Sequence, residues 1–449
     1  MRFLKTFQRL SPTKIIVIGY CLIILLGTVL LLLPVSTRAG ETTSFMDSFF
    51  TSTSATCVTG LIRYDTYTHW TLFGQLVILA LIQIGGIGFM TIAISLVSLT
   101  KRKIGLSERV LMQEAVSAPQ VGGIVRMTKL ILWGTLLFEG LGAIALCFYF
   151  CPMLGAMKGI YFSVFHSVSA FCNAGFDLMG CFAPGSSLIT GAQNWILNLV
   201  VMFLIVIGGL GFFVWSDILH CRLRFSRYRL HTKIVICTTV LLIIAGGAML
   251  WLFEQGGALY QGQSGSYQVM TAAFQSVTSR TAGFNTVPLA ELTSPSKLLM
   301  VCLMFIGGST GSTAGGIKTT TLAVLVLSIF TVFRRKKSVE CFGRRVEEGA
   351  VRTAACVLMM YVTFTIGATL IVSYLDGLPV QEVLFESTSA IATVGLTLGI
   401  TPQLSIVSQI LMCLLMIFGR AGSITILLAF TSTHSTLTSK LPTEKIRIG

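Results

Sequence analysis

The chain has 449 residues, 54% of them hydrophobic and only 11% charged, with a net charge of +15. Soluble domains carry about 25% charged residues, so this balance excludes a soluble globular protein and requires an integral membrane protein. The basic excess sits beside apolar runs, where it encodes orientation, and this argues against a nucleic-acid partner. In chain order, a basic start at 1–14 is followed by the apolar run 15–33. That run is long for a signal-peptide core of 7–15 residues and is read as a first crossing. Further apolar runs cover 72–99, 130–150, 195–213, 234–253, 298–306 with 322–333, 357–375, and 406–417 with 424–430. A crossing needs roughly 20 apolar residues, so the pattern gives eight crossings, two of them interrupted. Most lysines and arginines fall at the two ends and after the second, fourth and sixth crossings, which places both termini in the cytoplasm of a multi-pass protein of the cell membrane. The twelve cysteines form no paired framework and no metal-ligand spacing; most lie in apolar runs as small hydrophobes.

Four segments on the outer side repeat one pattern: FFTSTSATCVTGL (49–61), VFHSVSAFCNAGF (164–176), AFQSVTSRTAGF (273–284) and LFESTSAIATVGL (384–396). Each has Phe, Ser two residues on, Ser or Thr four residues on, and then Gly. Phe50, Phe165, Phe274 and Phe385 recur about every 110 residues, and self-similarity at a fixed period marks a repeated unit. The expected fold is therefore all-α and polytopic. Four span–pore loop–span repeats (15–100, 126–220, 231–333 and 352–430) stand in pseudo-fourfold arrangement around one central pore, and 431–449 forms a cytoplasmic C-terminus. Each second span also carries a glycine motif: Gly85-Gly86-Ile87-Gly88, Gly208-Gly209-Leu210-Gly211, Gly307-Gly308-Ser309-Thr310-Gly311 and Gly419-Arg420-Ala421-Gly422. Small residues let membrane helices approach closely.

The segment before each filter glycine is too short to cross the bilayer. It suits a short helix that dips in and returns as extended chain lining a watery cavity. Four such loops around an axis present rings of carbonyls that replace the hydration shell of a cation, and glycine permits the backbone angles this needs. The expected filter residues are Val58, Thr59 and Gly60; Asn173, Ala174 and Gly175; Thr281, Ala282 and Gly283; and Thr393, Val394 and Gly395, with potassium at the four glycines.

At these residues the chain resembles the Trk/Ktr/HKT superfamily of potassium transporters over roughly 14–430, most nearly the membrane subunit of bacterial Ktr systems. The stretches that carry this are SATCVTGL, LIQIGGIGFMT, KIGLSERVLMQEA, SAFCNAGF, SVTSRTAGFNT, MFIGGSTGSTAGGIK and ATVGLTLGITP. The resemblance implies potassium as the main ion, since Gly60 stands where sodium-favouring plant relatives can carry Ser. It adds sodium dependence as a reported family trait. It implies a homodimer with one pore per subunit, and a cytosolic ring of nucleotide-binding regulatory subunits on a separate chain. That ring is expected on the basic cytoplasmic face, at KRKIGLSER or 334–345, where contact with lipid headgroups is the competing reading. A sodium-selective or weakly selective transporter of the same superfamily is the alternative. A membrane enzyme lacks a convergent catalytic set or any organic cofactor motif, and a non-transporting scaffold does not require four filter glycines.

The stretch 307–321, GGSTGSTAGGIKTTT, resembles a phosphate loop, but Ile317 separates Gly316 from Lys318 and no strand precedes it. Its glycines and hydroxyls make a poor helix. Unwound chain at that depth must line a cavity. Gly307, Gly308, Ser309, Thr310, Gly311, Ser312, Thr313, Ala314, Gly315 and Gly316 are thus expected to form a flexible gating plug under the filter, at the position of the family's intramembrane gating loop. Arg420 takes the slot filled by Gly86, Gly209 and Gly308. A charge within a span is a functional candidate by default, and it is expected to bond loop carbonyls as a barrier or latch. Lys318 is expected to snorkel towards the cytoplasm, with a gating contact as the lesser reading. Glu139 reads as a buried bonded acid rather than a proton relay, and Arg280 as a donor to the filter backbone, with an extracellular surface arginine as the competing reading. Asp65, Asp177, Glu382 and Glu386 read as an acidic mouth, and His166 and Gln275 as packing behind the filter.

Overall fold

The structure, a computed structural model, describes residues 12–88, 91, 105, 109–110, 112–114, 122–222 and 224–422. The readings placed on 1–11, on the basic segment 101–103 and on 423–449 lie outside these residues. Among the described residues, four helices are long and apolar enough to cross a bilayer: α1 (Pro12–Leu32), α4 (Ile124–Leu154), α8 (Leu230–Glu254) and α12 (Glu348–Asp376). They are joined in sequence by four short helices, α2 (Phe45–Thr56), α5 (Ala156–Cys172), α9 (Gly265–Thr278) and α13 (Val380–Ala392), and then by α3 (Leu72–Ile87), α6 (Trp195–Leu210), α10 (Ser294–Phe305) and α14 (Ile406–Ala421). α7 (Phe212–Cys221) follows α6, α11 (Thr319–Phe333) follows α10 after the intervening 306–318, and a single helical turn, Thr66–His69, precedes α3.

Local sequence sets the starts of these elements. Thr71, Asn194, Thr293 and Ser405 each accept a backbone N–H of the following turn with their side chains, capping α3, α6, α10 and α14. Ser44 and Asp47 form a reciprocal capping box at the start of α2. The long helices turn apolar side chains outward, among them Leu26, Trp133, Phe148, Leu241 and Leu370, which is stable only against lipid. The four motif phenylalanines lie at the centre: Phe50, Phe165 and Phe274 are 0% exposed and Phe385 1%.

The expectation that two crossings are interrupted needs correction. The apolar runs 72–99 and 195–213 show no interruption in sequence, yet both helices break. α3 ends at Gly88 (φ 88°), and α6 ends at Gly211 (φ 94°), where α7 leaves at 91°. A glycine with positive φ redirects the chain without altering its hydropathy, so the run conceals the break. Among the described residues, the all-α expectation holds apart from a small antiparallel ribbon in the basic loop, in which Glu340 pairs with Arg345 and Cys341 with Arg344.

Candidate ion-conducting site

Each of α2, α5, α9 and α13 ends by handing the chain to an extended stretch, and the four hand-overs share one geometry. The first residue of each stretch is left-handed although none is glycine: Val58 (φ 57°), Asn173 (59°), Thr281 (76°) and Thr393 (52°). Two residues on, Gly60 (95°), Gly175 (70°), Gly283 (83°) and Gly395 (88°) also have positive φ. The middle residue donates its N–H to the carbonyl of the Ser or Thr four residues after the motif Phe: Thr59 to Ser54, Ala174 to Ser169 and Val394 to Ser389 at 2.8 Å, and Ala282 to Thr278 at 2.9 Å. The side chains of those same residues hold the far end. Ser54 and Ser389 accept from Gly60 N (3.1 Å) and Gly395 N (3.0 Å), while Ser169 and Thr278 donate to Phe176 O (2.6 Å) and Phe284 O (2.7 Å).

The serine two residues after the Phe has a different task. Ser52 donates to Ile24 O (2.7 Å), Ser167 to Glu139 O (2.6 Å) and Ser276 to Ile243 O (2.9 Å), each on the preceding long helix. Gly27, Gly142 and Gly246 face these hydroxyls, where a methyl group would strike them. Ser387 makes no such bond. The sequence reading picked out both hydroxyl positions but assigned them no role, and it missed the three glycines, which look ordinary inside apolar runs.

The four stretches touch in cyclic order. A Cβ on Gly60 would lie 2.5 Å from Ala174 O; on Gly175, 2.9 Å from Ala282 O; and on Gly283, 2.6 Å from Val394 O. On Gly395 it would collide with Thr59 O. Each glycine thus lies against the middle carbonyl of the next copy, and the fourth returns to the first. With its amide nitrogen turned towards them, Asn173 can donate to Ala170 O (3.0 Å) and Ile205 O (3.3 Å).

The glycine motifs seat α3, α6 and α14 against the ends of the short helices. A methyl on Gly85 would strike Thr56 O, on Gly208 Phe171 O, and on Gly419 Ile391 O. Gly307 differs, because its neighbour is Gly315 of the 307–321 stretch. That stretch is an ordered loop rather than slack chain. Its base is closed by Gly307 N to Ile317 O (2.9 Å) and Thr319 N to Gly308 O (3.1 Å). Ser309 N donates to Gly209 O (3.0 Å), Thr313 N to Gly208 O (3.3 Å), Thr313 Oγ1 to Phe171 O (3.1 Å) and Phe212 N to Gly311 O (2.7 Å). Gly315 lies against the Thr393 side chain, at the inner end of the fourth stretch.

Arg420 donates through Nη1 to Thr313 O and through Nη2 to Gly85 O and to Gly86 O (2.9 Å). Lys318 does not snorkel: Nζ bends back to Ala314 O (2.8 Å) and Gly315 O (3.5 Å). Loop carbonyls offer an acceptor at depth, so the ammonium need not seek water. Three consecutive loop carbonyls thus receive fixed cations.

The remaining candidates scatter. Arg280 is 3% exposed, so it is not a surface group, and its Nε and Nη1 have no hydrogen-bond partner, so it is not a donor to the filter backbone through them either. Glu139 is buried and accepts from Gln83 Nε2 at 3.0 Å. Glu386 does not belong to a mouth: it is 0% exposed and bonded to Thr401. Asp65 and Asp177 bond nearby backbone, Asp65 to Tyr67 N and Gly185 N and Asp177 to Met179 N, and Glu382 lies in the first turn of α13. Directly after the motif Phe, His166 is buried; its Nδ1 faces Phe162 O (2.8 Å), and its Nε2 accepts from Leu178 N (3.3 Å). Gln275 lines a small cavity with Glu254 and Tyr260.

The chain is 38% identical over 448 residues to the potassium/sodium uptake protein NtpJ of Enterococcus hirae, covering 98% of both chains. It is 36% identical to the Ktr system potassium uptake protein B of Bacillus subtilis, over 95% of this chain and 94% of that one. Its fold matches the crystal structure of the potassium transporter TrkH from Vibrio parahaemolyticus with a TM-score of 0.71 at 19% identity, over 93% of this chain and 86% of the other. The model of the TrkH family, described as cation transport protein, matches residues 6–439. The chain therefore belongs to the TrkH/Ktr family of membrane cation transporters.

Proposed function

We propose that this chain carries potassium into the cell through a pseudo-fourfold filter and that the 307–321 loop gates it. The observation that carries the reading is the cyclic contact of four stretches with left-handed first residues and positive-φ glycines. An alternation of left-handed and ordinary residues turns successive carbonyls towards one side, and rings of such carbonyls can replace the ion's water. The short helices end at the filter, so the negative ends of their dipoles favour a cation there. A negative-inside membrane supplies about 2.3 kcal/mol per charge per 100 mV, so accumulation needs no ATP chemistry in this chain.

The loop reads as a closed gate. Its four hydrogen bonds to the second copy together contribute roughly 2–6 kcal/mol. Moving such an equilibrium from closed to open asks for about 5.5 kcal/mol of differential binding. A separate cytosolic nucleotide-binding subunit, on the basic face of a homodimer, is a suitable source, in keeping with relatives named for Ktr systems. Arg420 latches the loop and sets a cationic barrier beneath the filter. The second reading is transport of sodium as well as potassium, which the printed name of the Enterococcus relative favours. Expression in cells lacking potassium uptake tests the proposal: growth on limiting potassium should be restored and resist excess sodium. Rescue abolished by sodium supports the second reading, and absence of rescue with and without a co-expressed regulator overturns both.

A further inference from the structure

Three of the four boundaries between neighbouring copies join segments consecutive in the chain. The fourth does not: the first and last copies meet with the whole intervening chain between them, and side chains must close the ring. The outer side shows how. The fourth residue of α3, α6, α10 and α14 is Gln75, Asn198, Lys297 or Gln409, and each donates to a carbonyl of the preceding outer loop. In two copies the amide oxygen is left for the next copy. Gln75 Oε1 accepts from Tyr161 OH at 3.0 Å, joining the first copy to the second. Gln409 Oε1 accepts from Arg63 Nη1 at 3.4 Å, joining the fourth to the first.

The Arg63 clasp engages more groups than the Tyr161 bond does. Arg63 follows Gly60 by three residues, and its Nη2 also donates to Pro402 O at 3.3 Å. Its counter-ion is Asp47, in the capping box of α2, where Ser44 Oγ donates to Asp47 Oδ2 at 2.7 Å. Gln409 is 2% exposed and fixed by its bond to Leu404 O at 2.7 Å. The guanidinium therefore ties the start of one short helix, the chain just past one filter glycine and the outer part of another copy. On the inner side of the same boundary, Arg420 reaches from the fourth copy to Gly85 O and Gly86 O.

We propose that Arg63 is a specificity-positioning residue: by clasping Pro402 and Gln409 it fixes the separation of the Gly60 and Gly395 stretches, and so the size of the carbonyl ring. The inference rests on the conducting role proposed above. A planar fork can hold two acceptors and a counter-ion at once, whereas a lysine ammonium is a single point.

The test is the potassium-to-sodium permeability ratio of purified protein in proteoliposomes, which does not depend on how many molecules are active. Arg63→Ala should lower the ratio roughly fivefold or more, the scale of losing a charge-assisted hydrogen bond. Arg63→Lys keeps the pair with Asp47, so its melting temperature should stay near wild type while its ratio still falls. Gln409→Ala should add little on top of Arg63→Ala. Tyr161→Phe, at a boundary that the chain already spans, should leave the ratio within about twofold. A wild-type ratio in either folded Arg63 variant overturns the inference, with Arg63→Lys deciding if Arg63→Ala does not fold. Absence of potassium-selective flux in the wild-type protein is a separate result that overturns the conducting role itself.

Discussion

Val58, Thr281 and Thr393 are β-branched residues in left-handed backbone, a conformation that costs each of them on the order of 1–3 kcal/mol. The surroundings enforce it, since each middle residue is bonded to the Ser or Thr four residues past the motif Phe. The same crowding makes the filter glycines irreplaceable. Gly395→Ala puts a methyl into Thr59 O, and Gly175→Ala one 2.9 Å from Ala282 O. Both should abolish selective potassium flux in protein that still inserts, and flux with wild-type selectivity in Gly395→Ala would contradict the cyclic packing. Ser389→Ala leaves Gly395 N without its acceptor, at about 1–3 kcal/mol. A lowered potassium-to-sodium ratio is expected, and an unchanged ratio would show that the hydroxyl is not needed. At this scale the glycines were legible because each recurs nine or ten residues after its motif Phe. The left-handed residues before them were not, since Val, Asn and Thr give no sign of such backbone. Arg280 shows the opposite error: its position beside Thr281 suggested a donor to the filter, and burial without an acceptor for Nε or Nη1 removes that reading.

Among the elements, the 307–321 loop differs most from its counterparts. Gly85, Gly208 and Gly419 seat their helices on the short helices, whereas Gly307 seats on the loop itself. Composition showed that most of this stretch would not be helix, though its last three residues, 319–321, already belong to α11. It did not show how many partners the loop has, because those partners, Gly208, Phe171 and Arg420, are distant in sequence. Deleting 311–315 removes the carbonyls that Arg420 and Lys318 hold, and unstimulated flux should rise severalfold. Lost flux from correctly inserted protein would mark the loop as a structural wedge. Arg420→Ala removes ties to both the loop and the first copy and should also raise basal flux. Unchanged flux would remove Arg420 as a barrier. The breaks at Gly88 and Gly211 stayed hidden for a related reason, since hydropathy continues through them while the backbone turns.

At the scale of the molecule, the four stretches proposed as a filter differ in sequence yet touch in cyclic order. Hydropathy made the helical membrane fold legible. What closes the ring was not, because Arg63 with Gln409 and Arg420 with Gly86 join the two ends of the sequence. The account's central claim is selective cation passage through that ring. The most direct test is potassium flux into proteoliposomes containing the purified chain with 311–315 deleted, driven by an inside-negative potential and measured against sodium. Selective, saturable potassium entry that Gly395→Ala abolishes is the predicted result. No entry, or equal passage of both ions that Gly395→Ala leaves unchanged, would contradict the account.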